Sequence, residues 1–159
     1  MKNNVESKKW LARAKSNLSI ARIGKISDDI IYEDLGNNCH AAIEKSLKSV
    51  LVFYHSEPDF KPPYGKTGHS LDFLIKKIEE LNIIVPDKIK TASNTPFFYG
   101  EGLIPWCIPW KIGSSASPMD YAVDRRYPGQ YDPLTEQGYK DLLDRAEKIV
   151  AWVEEQIRT

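Results

Sequence analysis

Asn38-Cys39-His40-Ala41-Ala42-Ile43-Glu44-Lys45-Ser46-Leu47-Lys48-Ser49-Val50-Leu51 is the middle of a longer segment, about residues 31–57, whose apolar residues return at helical spacing. Leu35, Cys39, Ile43, Leu47 or Ser46, Val50 and Tyr54 fall on one stripe, as a helix of 3.6 residues per turn requires. On the flank of that stripe His40, Glu44 and Lys48 stand four apart, so an imidazole, a carboxylate and an ammonium stack on one line. That line is either a working surface or a solvated flank with ordinary spacing pairs. The rest of the chain reads as other helices gathered around this one.

Before it, residues 7–25 place Trp10, Leu11, Ala14, Leu18 and Ala21 on one side, while Lys8, Lys9, Arg13 and Lys15 face water. Gly24 and Ser27-Asp28-Asp29 end that helix in a turn. After it, Pro58 and Pro62-Pro63-Tyr64-Gly65 mark a loop. A third helix starts at Thr67-Gly68-His69-Ser70, with Thr67 or Ser70 as cap, and keeps period through Leu71, Leu74, Ile75, Ile78 and Leu81. Pro86 opens a fourth, with Ile89 and Ala92 inward, and Pro96 stops it. The last helix runs from near Pro133-Leu134 to about Gln156, on Leu142, Ala146, Ile149, Val150, Val153 and Ile157. No strand pattern competes with these helices. The expectation is an all-α fold: an up-and-down bundle of four to five helices in a single domain, residues 1–159.

Residues of about 95–132 form an insertion before the last helix. It holds Pro96-Phe97-Phe98-Tyr99, Pro105-Trp106 and Pro109-Trp110, so its middle excludes a regular helix, and it is too apolar for a solvated linker. An ordered loop packed on the helices or across a subunit interface is expected, and loops of this length are often functional.

Bulk composition narrows the function. Lys+Arg and Asp+Glu are both 22, which excludes the strong basic surplus of a dedicated nucleic-acid binder and leaves only a local patch for that role. A balanced charge also suits association with itself or a partner. Two cysteines far apart, Cys39 and Cys107, make no disulfide framework, and neither CxxC nor HExxH spacing is present, so no metal and no cofactor is implied. Cys39 falls on the apolar stripe, where a thiol acts as a small hydrophobe. The first residues carry no apolar leader, and no stretch approaches about 18 apolar residues, so a cytoplasmic protein without a membrane span is expected.

Beyond the His40-Glu44-Lys48 line, Arg125-Arg126-Tyr127-Pro128 offers forked donors that match phosphate, with Tyr127 available to stack on a base. Pro128 holds Tyr127 extended. The other reading pairs an arginine with Asp120 or Asp124 to pin the loop. His69, at a helix start where free amides favour anions, either meets an anion or bonds a backbone carbonyl. His55, beside Glu57, reads as a surface residue.

Taken in order, Trp10-Leu11-Ala12-Arg13-Ala14, Ala42-Ile43-Glu44-Lys45-Ser46-Leu47-Lys48, Gly68-His69-Ser70-Leu71, Arg126-Tyr127-Pro128 and Ala146-Glu147-Lys148-Ile149-Val150-Ala151-Trp152 resemble the HEPN domain over nearly the whole chain. The resemblance implies a four- or five-helix bundle, commonly a homodimer, in a nucleotide or RNA context. It also implies a minimal nucleotidyltransferase as partner in a toxin–antitoxin type pair. Some members cut RNA through an arginine that precedes a histidine by five to seven positions. Here Gln130, Tyr131, Asp132 and Pro133 occupy those positions after Arg125 and Arg126, and His69 is the last histidine. A ribonuclease of that type needs the imidazole for proton transfer, and a tyrosine with a pKa near 10 replaces it poorly. No catalytic residue is therefore carried over. The expectation is a non-catalytic binding module in which phosphate meets Arg125, Arg126 and Lys48, with Tyr127 beside the base. Two alternatives stay open: an enzyme with an unorthodox centre of His40, Glu44 and His69, and a purely structural protein-interaction domain.

Overall fold

The computed structural model describes residues 4–55, 61–62, 70–94, 97–99, 102–104 and 134–158. Five helices stand among them: α1 Asn4–Ile23, α2 Tyr32–Tyr54, α3 Leu71–Glu80, α4 Asp87–Asn94 and α5 Glu136–Arg158. Two short strands, β1 Phe97–Tyr99 and β2 Gly102–Ile104, pair antiparallel with Phe97 opposite Ile104 and Tyr99 opposite Gly102. The fold is an all-α bundle with this ribbon beside it. The ribbon corrects the strand-free reading of the insertion. Phe97-Phe98-Tyr99 and Gly102-Leu103-Ile104 flank Gly100-Glu101, and a Gly-X pair between short apolar runs is a hairpin signal that helical periodicity does not register.

α2 is the central element because it is sealed on every side. From Ser46 to Phe53 each residue is buried, the mark of a helix inside a bundle rather than on its surface. It packs against α1, α3 and α5. Its two buried serines donate back to their own helix, Ser46 Oγ to the Ile43 carbonyl at 2.8 Å and Ser49 Oγ to the Ser46 carbonyl at 2.6 Å, so neither hydroxyl is stranded in the core. No side chain caps the α2 amides, but Glu33 and Asp34 in the first turn compensate the positive end of the helix. Glu33 Oε1 also accepts from the Leu134 backbone N–H at 2.7 Å, which ties the approach to α5 onto the start of α2. Gly36 lies under the same contact. A Cβ there would meet Leu134 Cδ2 at 2.8 Å and Leu142 Cδ1 at 3.2 Å.

Cross-links between helices define their directions. Trp10 of α1 faces Lys48 of α2, and Asn17 faces Asn38 and Lys45, so α1 and α2 run antiparallel. Arg22 meets Glu147 and Lys15 meets Glu154, which makes α1 antiparallel to α5 as well. Tyr54 Oη donates to the Gln156 carbonyl at 3.0 Å, so α2 and α5 run the same way. α1 thus runs against both α2 and α5, and Leu47, Leu74, Ile89, Leu142 and Ile149 meet in one core.

The helix ends have local causes. α1 stops at Gly24, whose φ of 73° lies in the left-handed region, and Tyr139 Oη on α5 donates to the Ala21 carbonyl in the last turn at 2.6 Å. Ser70 caps α3 by accepting from the Phe73 N–H at 3.3 Å. The Pro86 carbonyl opens α4 by accepting from Ile89 and Lys90. Thr135 Oγ1 accepts from the Gly138 N–H at 3.0 Å, so α5 begins after Leu134 rather than at it.

Candidate functional site

The four-residue spacing on α2 brings His40, Glu44 and Lys48 together as the sequence indicates, but not on a solvated flank. Their side chains are 15%, 12% and 3% exposed, because α1 lies over this part of α2. A lysine ammonium that far inside must have a counter-charge. Glu44 provides it: Lys48 Nζ donates to Glu44 Oε1 at 2.7 Å. Trp10 of α1 closes the other side, with Nζ 5.7 Å from its ring centroid, within cation–π range. The second carboxylate oxygen, Oε2, lies 3.9 Å from His40 Nε2. That is ion-pair distance for a protonated imidazole and beyond hydrogen-bond distance for a neutral one.

Chemically, the line has an inside and an edge. Lys48 is the inside: it holds Glu44 in place and is closed to bulk solvent. Glu44 Oε2 and His40 Nε2 are the edge, where an incoming donor or acceptor could reach both.

A second polar layer crosses the same α1–α2 seam. Asn17 Nδ2 donates to Asn38 Oδ1 at 2.7 Å, Lys45 Nζ donates to Asn17 Oδ1 at 2.6 Å, and Asn38 Nδ2 donates to the Asp34 carbonyl at 2.9 Å. Apolar periodicity carries no sign of it. The available signal is that Asn38 and Lys45 are seven apart on α2, a spacing that sets both on one face toward Asn17 of α1. Nearby, Ser7 on α1 is fully buried, and its Oγ has no hydrogen-bond partner among the described residues.

The remaining expectations divide. Arg125, Arg126, Tyr127 and His69 lie outside the described residues, as does the insertion apart from its two strands. His55 is half-buried at the end of α2, where its N–H reaches the Leu51 carbonyl, rather than a plain surface residue. Cys39 is fully buried, and burial first, with the Glu147 charge second, pushes its thiol up to about 12. A thiol so held is a small hydrophobe and not a nucleophile at neutral pH. Among the described residues no three His, Cys, Asp or Glu side chains cluster as metal ligands would, and no helix is long and apolar enough to cross a membrane.

The fold and the seam define a small helical-bundle protein that encloses one ion pair, Lys48–Glu44, between its first two helices. Compared with family models, residues 7–156 match the HEPN domain, and the chain belongs to that family. No curated protein and no solved structure gives a match.

Proposed function

We propose that this chain is a non-catalytic HEPN module, a single domain that acts as a homodimer in the cytoplasm and binds a nucleotide or RNA phosphate. Its partner in the cell is a minimal nucleotidyltransferase, in a toxin–antitoxin type pair. The observation that carries this reading is a family match over residues 7–156 in a chain where no histidine follows an arginine by five to seven positions. Arg125 and Arg126 supply the phosphate contacts and Tyr127 the base contact. The burial of Lys48 against Glu44 supports a holding role for that lysine rather than direct contact with the phosphate.

The test is titration of ATP, GTP and a short RNA against wild type and the Arg125→Ala/Arg126→Ala double variant. Saturable binding by wild type and its loss in the variant are expected; equal binding by both proteins rejects the site. The approach of His40 to Glu44 favours one second reading, a hydrolytic centre at that edge. RNA cleavage by wild type that disappears in His40→Ala would replace the binding-module reading with that one.

A further inference from the structure

α1 carries cations toward both of its neighbours, and the two sides are answered differently. Toward α5 stand Lys15 and Arg22, and each meets a carboxylate, Glu154 at 2.5 Å and Glu147 at 2.7 Å. Toward α2 lie Trp10, Arg13 and Asn17, spaced i, i+3 and i+7, so they share one stripe. Trp10 reaches Lys48, and Asn17 reaches both Asn38 and Lys45. Arg13 therefore stands on the seam between these contacts, and the charged residue that α2 sets at this level is another cation, Lys45. Lys45 is half-buried, yet its Nζ donates to a neutral acceptor, Asn17 Oδ1, at 2.6 Å. The other described lysines that the fold buries or half-buries, Lys48, Lys77 and Lys90, all sit on carboxylates: Glu44, Glu80 and Glu79.

Two cations on one seam repel each other, and an ammonium drawn partly out of water without a counter-charge is unfavourable. The fold nevertheless holds Lys45 in place. Asn17 Nδ2 donates to Asn38 Oδ1 and Asn38 Nδ2 to the Asp34 carbonyl, so a chain of hydrogen bonds fixes the amide on which the ammonium rests. One ammonium hydrogen goes to Asn17, and two remain. The carboxylates next to the two cations in the helical register are already engaged, Glu44 by Lys48 and Glu6 by Lys9 at 3.0 Å. Arg13 is exposed, and no ion pair among the described residues holds it elsewhere. We propose that this place on the α1–α2 seam is an oxyanion site, in which Arg13 and Lys45 together hold one phosphate group and Asn17 keeps Lys45 in position. A guanidinium fork and two ammonium hydrogens, presented from two helices, suit a tetrahedral group better than a planar carboxylate with two oxygens. Inorganic phosphate and the phosphate of a nucleotide offer the same chemistry here. The site needs neither Arg125 nor Arg126.

Titration of the full chain with sodium phosphate, against sodium chloride at matched ionic strength, tests it by nuclear magnetic resonance at the Ala41 backbone amide and the Asn38 side-chain amide. Wild type should give saturable shifts with phosphate and none with chloride. Arg13→Gln and Lys45→Met should each raise the Kd about tenfold or more, since each removes a charged hydrogen bond. Asn17→Asp supplies the missing carboxylate from within the chain and should abolish phosphate binding, with far-UV circular dichroism confirming that the variants are folded. Arg13→Gln lies at an exposed position, so it tests the site without disturbing the core. A wild type without saturable shifts, equal shifts in chloride, or undiminished binding in any of the three variants overturns the site. ATP and a short RNA are titrated in parallel into wild type, Arg13→Gln and Arg125→Ala/Arg126→Ala. Binding of ATP that is tighter than that of phosphate and weakened by Arg13→Gln assigns the group to a nucleotide, while equal binding assigns it to the free ion. Phosphate binding at the seam in a chain that binds no nucleotide through Arg125 and Arg126 rejects the proposed function and keeps this site; the converse rejects this site alone.

Discussion

Breaking the Lys48–Glu44 pair from either side should cost far more than removing it whole. Lys48 is 3% exposed and bonded at 2.7 Å, so Glu44→Leu takes the carboxylate away from an ammonium held inside the bundle beside the Trp10 ring. Loss of one member of a buried pair costs about 3–5 kcal/mol, and this substitution belongs in that range. Lys48→Met takes the ammonium away from the carboxylate instead. Glu44 is 12% exposed and can recruit water at its edge, so about 2–3 kcal/mol is expected. The double variant Glu44→Leu/Lys48→Met places two apolar side chains of similar volume in the seam and should fall within about 1 kcal/mol of wild type. The coupling between the two positions is then several kcal/mol, well above the few tenths of an exposed pair four apart. Urea unfolding followed by tryptophan fluorescence and far-UV circular dichroism, at one fixed protein concentration, measures all four proteins. Repeating it at high salt adds a control, since a pair closed to solvent is little screened. Single costs that add up to the double within about 0.5 kcal/mol would show that the ammonium is solvated and that the seam does not enclose it.

Four further outcomes follow from particular contacts. Cys39, with its thiol raised by burial from 9.0 to about 12, should ignore a disulfide reagent at pH 8 in a Cys107→Ser background and react once urea unfolds the chain; prompt reaction of the native protein would refute the burial. Because its folded pKa lies above its unfolded one, the stability it contributes is complete below about pH 9 and declines as pH climbs from there toward 12, which thermal melts of that background and of its Cys39→Ala derivative resolve by difference. Glu33→Gln replaces a charged acceptor with a neutral one at the Leu134 N–H and should cost about 1 kcal/mol, with faster amide exchange at Leu134 and no change at Ile149. Gly24→Ala forces a side chain into a left-handed position at φ 73° and should lower stability by about 1–2 kcal/mol, whereas a neutral result would mean that the turn after α1 can relax.

The bundle was legible because apolar spacing is a statement about burial. Period alone points Leu74, Ile78, Leu142, Ala146, Ile149 and Val153 inward, and all are fully or nearly fully buried. Helix ends were read less well, since they depend on single contacts. α2 stops at Tyr54 rather than near residue 57, and α5 waits for the Thr135 cap. The surroundings of Lys48 were illegible for a different reason. Period four places His40, Glu44 and Lys48 on one line but does not say what lies over that line. It required α1 to run antiparallel with Trp10 at the level of Lys48, a tertiary fact. One clue was available: Leu47, Val50, Leu51, Val52 and Phe53 spread apolar side chains around the whole circumference of α2 near Lys48, so a charge among them is enclosed too.

An enclosed ion pair is a poor device for stability, because desolvation of both charges offsets most of their attraction. Stability alone would be served as well by two apolar residues at positions 44 and 48. The seam instead carries Lys48–Glu44, a pair within α2 that Trp10 of α1 covers, and the Asn17–Asn38–Lys45 layer, whose hydrogen bonds join the two helices. The hydrogen bonds of that layer fix the register of α1 on α2 in a way that interchangeable apolar contacts do not. Within α2, Lys48 holds one oxygen of Glu44, and the other lies 3.9 Å from His40 Nε2. The double variant separates the two uses of the pair. If it folds as stably as wild type and still binds nucleotide, the pair serves the packing of the seam alone. If it folds and no longer binds, while Arg125 and Arg126 are untouched, Glu44 belongs to the ligand site and Lys48 is the group that positions it.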